Sequence, residues 1–162
     1  MYWDSALSTA AEVGIGIAGF SAIFAAVSRR DPERWGSNQQ IAFNVLLVAS
    51  GAAIFACLMP FLLLSAGLSG GTPWAITSAV YGPWLIWIVT VRLRQQRQAG
   101  ISLSWVVPVS YLSGAIVTVN VFYPTAPWPY LIGVYWQLFV AFRSFLILMR
   151  GTVRAEDAGR DA

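Results

Sequence analysis

The chain has 162 residues, of which 57% are hydrophobic and only 10% are charged, and its formal net charge is +3. A mean hydropathy of +0.65 is more apolar than a soluble domain of this size can keep away from water, so we predict an integral membrane protein. All ten basic residues are arginines, and the chain contains neither lysine nor histidine. This excludes a lysine Schiff base, histidine ligands for haem or zinc, and a histidine general base.

Cysteine usage narrows the chemistry further, because Cys57 is the only cysteine and lies in the apolar stretch IFACLMPF. One cysteine cannot form an intrachain disulfide or a cysteine metal cluster, and apolar surroundings predict a buried, inert thiol. No nucleophile, base and orienting group occur together at one membrane depth. We therefore expect no cofactor, no metal site and no enzymatic activity.

Five apolar segments cover residues 9–28, 41–65, 74–91, 103–122 and 128–149. Each is close to the roughly 20 residues that a helix needs to cross the hydrocarbon layer, and a helix satisfies its own backbone in lipid. The sequence predicts an all-α domain of five transmembrane helices over residues 1–150. The small, polar residues 151–162 are expected to form a flexible cytoplasmic tail.

The linkers between these segments alternate in charge. Residues 28–40, residues 92–100 and the tail after Met149 each carry three arginines, whereas AGLSGGTP and YPTAPWP carry no charge. The positive-inside rule then places the N-terminus outside and the C-terminus in the cytoplasm, as five spans require. The basic excess thus indicates topology in a cell membrane, for which we predict the bacterial inner membrane, and not nucleic-acid binding.

The first segment carries two rows of small residues, and such rows mark the faces on which helices approach closely in lipid. One row includes Gly14 and Ala18, and the other contains Glu12, Gly16 and Gly19. A helix with small side chains on two faces is expected to pack against neighbours on both, either within the chain or in a symmetric homo-oligomer.

Glu12 has three interpretations. It complements the positive end of the helix dipole near the helix start, or it joins Asn120, Tyr123 and Tyr130 in an outward-facing polar pocket. Repeated around an oligomer axis, it would instead form an acidic ring that attracts cations.

The second segment has a matching row that includes Ala49 and Ala52, so the first two helices are expected to pack as an antiparallel hairpin. Tryptophan and tyrosine flank the segments, and we expect Trp3, Trp74, Trp128, Tyr123 and Tyr130 at the outer boundary, with Trp35 and Trp105 near the inner one.

The fifth segment contains a polar row with Gln137 and, seven residues before Arg150, the charge of Arg143. Ionisable residues within spans are candidates for function. Arg143 either extends along a lipid-facing surface to the inner interface, or pairs with Asn44 of the second segment to bind an anion or line an inner vestibule.

Five spans in about 160 residues with eight tryptophans resemble, in composition, the tryptophan-rich sensory or translocator family of porphyrin and sterol binders. That family's paired-proline tryptophan motif is missing from the first outer loop, so no site residues are transferred. The sequence favours a homo-oligomeric channel or carrier for an ion or small solute. The alternatives are a non-catalytic scaffold or accessory subunit of a larger membrane complex, and a sensor of small hydrophobic ligands.

Overall fold

The computed structural model describes residues 2–28, 37–98, 105–123 and 126–160, with side chains over 3–23, 39–98, 105–123 and 126–150. Those residues form five helices and no strand: α1 (Tyr2–Ser28), α2 (Ser37–Ser65), α3 (Thr72–Gln98), α4 (Val106–Val119) and α5 (Trp128–Arg160). The prediction of an all-helical chain is confirmed. Because α5 continues to Arg160, residues 151–160 are helical, and their independence from the bundle stays a prediction.

Four helices are long and apolar enough to cross a membrane, over Trp3–Ile23, Gln39–Ser65, Thr72–Gln98 and Trp128–Arg150. The exception is α4, whose 14 residues extend about 21 Å, less than the roughly 30 Å hydrocarbon layer. Backbone N–H groups of Val121, Phe122 and Tyr123 each bond the carbonyl three residues earlier. These tighter turns prolong the element to Tyr123.

The start of α1 differs from the prediction. The helix begins at Tyr2, seven residues before the predicted segment, with Asp4 in its first turn, where a carboxylate complements the helix dipole. Leu7 on this added part is fully buried, and Trp3 packs against Trp74 with ring centroids 4.9 Å apart. The polar residues of DSALST do not predict a helix, but contacts with other helices stabilise this first part of α1.

The connection between α2 and α3 is a tight turn built around Gly67. The N–H of Leu68 bonds the carbonyl of Leu63 and the N–H of Gly67 bonds that of Leu64, as in a Schellman motif. Gly67 has a φ of 89°, a conformation that side chains with a Cβ rarely adopt. Both helices therefore have their connected ends on the same side of the bundle, which we call the outer end after its predicted side.

Helix α5 is central, since it contacts each of the other four helices and packs most extensively against α2. Helix α1 packs on α2 and α5, and α4 packs mainly on α3. Gly82 makes the last contact possible, because a Cβ there would lie 2.7 Å from the backbone nitrogen of Thr118.

An aromatic cluster fills the outer half of the bundle and joins four helices: it comprises Trp3, Phe61, Trp74, Tyr81, Trp84 and Tyr130. Trp74 and Tyr130 are buried and pack inside the bundle, and their position at the outer boundary stays a prediction. Trp128 and Tyr123 are exposed, as an anchor requires. Trp105 is exposed as well, and Trp35 lies outside the described residues.

Candidate functional site

Most buried hydroxyl groups are satisfied within their own helix and therefore do not indicate a site. Each donates a hydrogen bond to the carbonyl four residues earlier: Ser21, Ser50, Thr77, Ser110, Thr118 and Ser144. Three buried polar atoms lack a partner among the described residues, namely Gln96 Oε1, Ser113 Oγ and Asn120 Oδ1. Buried polar groups are normally hydrogen-bonded, so these three positions are candidates for ligand or water contacts.

One of these atoms, Gln96 Oε1, belongs to a cleft of about 440 Å³ between α2, α3, α4 and α5. We call it the arginine cleft, because it is lined by Arg92 of α3 and Arg143 of α5, together with Gln96, Ser110 and Ser144. Its remaining wall is apolar and includes Ile41, Val45, Val89, Val106, Val140 and Ile147. Two cations from different helices thus share one partly enclosed space.

The two arginines lie at a similar depth. Arg92 is six residues before the end of the candidate span at Gln98, and Arg143 is seven before the end of the last span at Arg150. At a rise of 1.5 Å per residue, these separations correspond to about 9 and 10 Å. Both side chains are half-buried. The predicted inner ends of α3 and α5 therefore place two guanidinium groups at one level of the bundle.

Arg92 extends across the cleft and donates a hydrogen bond from Nη2 to the backbone carbonyl oxygen of Val45, at 3.4 Å. A guanidinium has five N–H donors, so this contact uses only part of its capacity. Among residues with described side chains the carboxylates are Asp4 and Glu12, both on α1, which contributes nothing to the cleft lining. Neither of these two carboxylates therefore lines the cleft.

The predicted partner of Arg143 was Asn44, but Asn44 is exposed on α2 and does not line the cleft. The structure instead brings Arg143 together with Arg92. In the sequence Arg92 directly follows the apolar segment 74–91 and therefore falls in the basic linker that sets topology. Its place six residues inside a candidate span becomes visible only because the helix continues to Gln98.

Glu12 is exposed on α1 and lies within the candidate span Trp3–Ile23. Since α1 begins at Tyr2, Glu12 is ten residues into the helix, about 15 Å from its start. The dipole effect is confined to the first turn, so complementing the dipole does not explain this carboxylate.

The outward pocket suggested for Glu12 does not form within one subunit. Tyr130 is buried and its hydroxyl donates a 2.7 Å hydrogen bond to the carbonyl of Ala56, while Tyr123 is exposed. Asn120 is buried between α3 and α4, where its Nδ2 donates to Ser78 Oγ at 3.0 Å.

The remaining predicted residues divide between the interior and the surface. Gly14 faces inward, and a Cβ there would lie 3.0 Å from Ile54 of α2 and 3.5 Å from Leu138 of α5. Buried or half-buried positions also hold Ala18, Ala49, Ala52 and Gln137. A Cβ at Gly16 or Gly19 would meet nothing within 4 Å, so the row of small residues below Glu12 faces out of the bundle.

A second cavity, an apolar groove of about 460 Å³, lies between α2 and α3 in the outer half. Its walls include Phe55, Tyr81, Trp84 and Tyr130, and Gly51 leaves open space at its surface. This volume is within the range of roughly 300–1,000 Å³ that is typical of small-molecule sites.

The chain matches no protein-family model, no curated protein and no solved structure. Its function is therefore inferred from the positions and chemistry of its residues. Within the described residues no cluster of His, Cys, Asp and Glu could hold a metal ion. The cleft presents two guanidinium groups, the groove presents an apolar and aromatic wall, and α1 exposes a carboxylate within a candidate span.

Proposed function

We propose that the protein crosses the bacterial inner membrane five times, with its N-terminus outside and its arginine-bearing linkers in the cytoplasm. Four helices of sufficient length support this proposal, as does the apolar character of α4. The tighter turns after Val119 extend α4 toward the length that a span requires. An odd number of spans also agrees with the alternation of uncharged and arginine-rich linkers.

Subunits of this protein assemble, in our proposal, through one face of α1, which we call the Glu12 face. Its residues recur every three or four positions, the spacing that aligns side chains on one side of a helix. They are Ser5, Ser8, Glu12, Gly16 and Gly19, with Thr9 next to Ser8. All are exposed except Gly16, which is half-buried.

The carrying observation is the outward position of Glu12 within a candidate span, about 15 Å from the start of α1. In a lone subunit this carboxylate would face lipid, and a charged side chain at the bilayer centre costs about 2.5–3.5 kcal/mol on insertion scales. Gly16 and Gly19 leave space for a second backbone to approach, as small residues do at helix contacts in membranes. A second copy of α1 would remove both the carboxylate and the small residues from lipid.

Such an assembly would act as a channel or carrier for an ion or small solute. Glu12 carboxylates repeated around a symmetry axis form an acidic ring, and rings of this kind favour cations. No step of this function requires covalent chemistry, so we propose neither an enzymatic activity nor a cofactor.

The experiment combines size measurement with flux. In mild detergent the protein should migrate as an oligomer, and Gly19→Leu should reduce it to a single subunit by blocking close approach. Ala115→Leu introduces the same bulky side chain at an exposed position of α4 and should leave the oligomer intact. A wild-type protein that migrates as one subunit would contradict the assembly.

Liposomes containing the protein should pass a small cation faster than empty vesicles. Glu12→Gln should reduce that flux while preserving the oligomer, because it removes the charge and keeps the shape. Absence of flux from an intact oligomer would instead favour the alternative of a non-catalytic scaffold or accessory subunit.

The apolar groove favours a second candidate, a sensor of small hydrophobic ligands. Aromatic side chains at its wall suit a flat, apolar molecule, and Trp84 provides an optical reporter. Tryptophan fluorescence should quench saturably with a porphyrin, and Gly51→Phe should weaken this quenching by filling the groove. A titration without saturation would remove this candidate.

A further inference from the structure

We propose that a groove between α4 and α5 binds a neutral, flat, membrane-soluble molecule that carries a carbonyl oxygen, the chemistry of a quinone. The groove has a volume of about 440 Å³, and we call it the Ser113 groove. It is separate from the apolar groove between α2 and α3 and from the Glu12 face, so the site goes beyond the proposed function and rests only on the proposed membrane location. Its lining includes Val109, Leu112, Ser113 and Ile116 of α4 with Trp136 and Phe139 of α5.

Ser113 lies at the floor of this groove. It is 4% exposed, whereas each of the other lining residues is half-buried or exposed. The equally buried hydroxyl of Ser144 donates a hydrogen bond to the carbonyl four residues earlier, but Ser113 Oγ has no partner among the described residues. A buried hydroxyl without a partner is unfavourable, so the proton of Ser113 is available to an acceptor from outside the chain.

The depth of Ser113 limits what can reach it. Ser113 is seven residues, about 10 Å, from the start of α4 at Val106, and six residues, about 9 Å, from its end at Val119. With α4 in the membrane as proposed, phospholipid headgroups lie at the helix ends, and the hydrocarbon layer between them offers no hydrogen-bonding atom. The acceptor therefore belongs to a molecule that carries a polar atom within an apolar body.

The two walls of the groove suit a flat ring. On the α5 side, the rings of Trp136 and Phe139 stack with centroids 5.2 Å apart and an interplanar angle of 27°. The α4 side presents branched aliphatic side chains. Aromatic rings pack favourably on one another in offset or edge geometry, so a flat ligand gains contacts with the α5 wall.

Hydrogen bonds hold the aromatic wall in position. Trp136 Nε1 donates to Ser110 Oγ at 2.9 Å, and the hydroxyl of Tyr135, which also lines the groove, donates to the carbonyl oxygen of Ala6 on α1 at 3.2 Å. Side chains that are already fixed lose little conformational entropy when a ligand binds. The α5 wall is thus formed before the ligand enters, as is usual for small-molecule sites.

Charge and hydrogen bonding limit the ligand to a neutral acceptor. None of the described residues that line the groove is charged, so a carboxylate or ammonium group would be buried without a counter-charge there. A carbonyl oxygen accepts the hydrogen bond of Ser113 and adds no donor that would stay unsatisfied. Since Ser113 Oγ is itself covered, this contact requires a rotation about the Cα–Cβ bond between staggered rotamers.

The test compares two probes with the same ring skeleton. Menadione, a methylated naphthoquinone, carries carbonyl groups, and methylnaphthalene carries none. The full chain in a nonionic detergent is dialysed to equilibrium against each probe, and protein-free micelles give the amount that partitions into detergent. Menadione should bind saturably, and methylnaphthalene should bind about 5- to 10-fold more weakly, the factor expected for the loss of one hydrogen bond.

Matched variants connect this difference to Ser113. Ser113→Ala removes the hydroxyl and keeps the apolar walls, so the affinity for menadione should fall about 5- to 10-fold while that for methylnaphthalene stays within about twofold. Ser144→Ala is the control, because Ser144 is also 4% exposed but donates to the carbonyl of Val140. It should leave both affinities within about twofold of the wild type.

Ile132→Trp tests the location, since Ile132 lines the Ser113 groove and a larger ring there fills part of it. Both probes should bind more weakly to this variant. The proposal is overturned if menadione does not bind, if both probes bind the wild type equally, or if Ser144→Ala loses as much affinity as Ser113→Ala. Loss of binding with Gly51→Phe and not with Ile132→Trp would also overturn it, because the ligand would then occupy the groove between α2 and α3.

Discussion

The hydroxyl of Tyr130 on α5 donates a 2.7 Å hydrogen bond to the backbone carbonyl oxygen of Ala56 on α2, 74 residues earlier in the chain. Tyr130 is 1% exposed and contacts the rings of Trp74 and Tyr81 in the aromatic cluster. One side chain thus joins the central helix to α2 and to α3.

Replacing Tyr130 by Phe should keep the ring contacts and remove this hydrogen bond. Interhelical hydrogen bonds in membranes contribute about 0.6 kcal/mol on average and about 1.7 at most, so the free energy of unfolding should fall within that range. Unfolding in mixed micelles, followed by circular dichroism, measures the change. Tyr123→Phe, at a position 72% exposed, is the control, and an equal loss there would show that the bond contributes nothing.

Gly82→Ala should separate α3 from α4. The new Cβ would lie 2.7 Å from the backbone nitrogen of Thr118, which cannot move without its helix, and overpacking of this kind costs about 1–3 kcal/mol. The thermal midpoint in detergent should fall. Gly51→Ala meets nothing within 4 Å and should hold or raise the midpoint, since alanine is the better helix former. Similar effects of the two substitutions would contradict the close approach of α3 and α4.

Ser78→Ala should remove the hydroxyl oxygen that accepts the hydrogen bond from Asn120 Nδ2. Asn120 Oδ1 already lacks a partner among the described residues, so the whole buried amide would then be unsatisfied there. Leaving a buried polar group unsatisfied costs about 1–3 kcal/mol of unfolding free energy. Adding Asn120→Leu should recover part of that loss, since an apolar side chain needs no partner. A double variant as unstable as Ser78→Ala alone would argue against this pairing.

Chemical labelling should show that α4 crosses the membrane. Cys57 is buried, so Cys57→Ala provides a cysteine-free background for single cysteines at Ser69, Gln98 and Tyr123, which are all exposed. An impermeant maleimide should label positions 69 and 123 from outside and position 98 only after permeabilisation. If position 123 is labelled together with 98, α4 does not cross, and the number of spans and the side of the C-terminus change.

The start of α1 and the position of Arg92 both depend on contacts that local sequence does not reveal. The polar stretch DSALST predicts a later start for the first helix, although Leu7 within it is buried against other helices. Arg92 was assigned to a linker because it begins a basic stretch, although its side chain reaches across to α2. In both cases the deciding contacts come from residues distant in the chain.

The sequence by itself determined the apolar character and the five helices in their order, because the length of an apolar run and the glycines and prolines between runs are local properties. Only the tertiary structure decided which residues face a neighbour. It placed Trp74 in the core, Glu12 on the surface, and Arg92 beside Arg143 around one cleft. The physical reason is that lipid is as apolar as the interior of the bundle, so hydrophobic periodicity does not distinguish a buried face from a lipid-facing one.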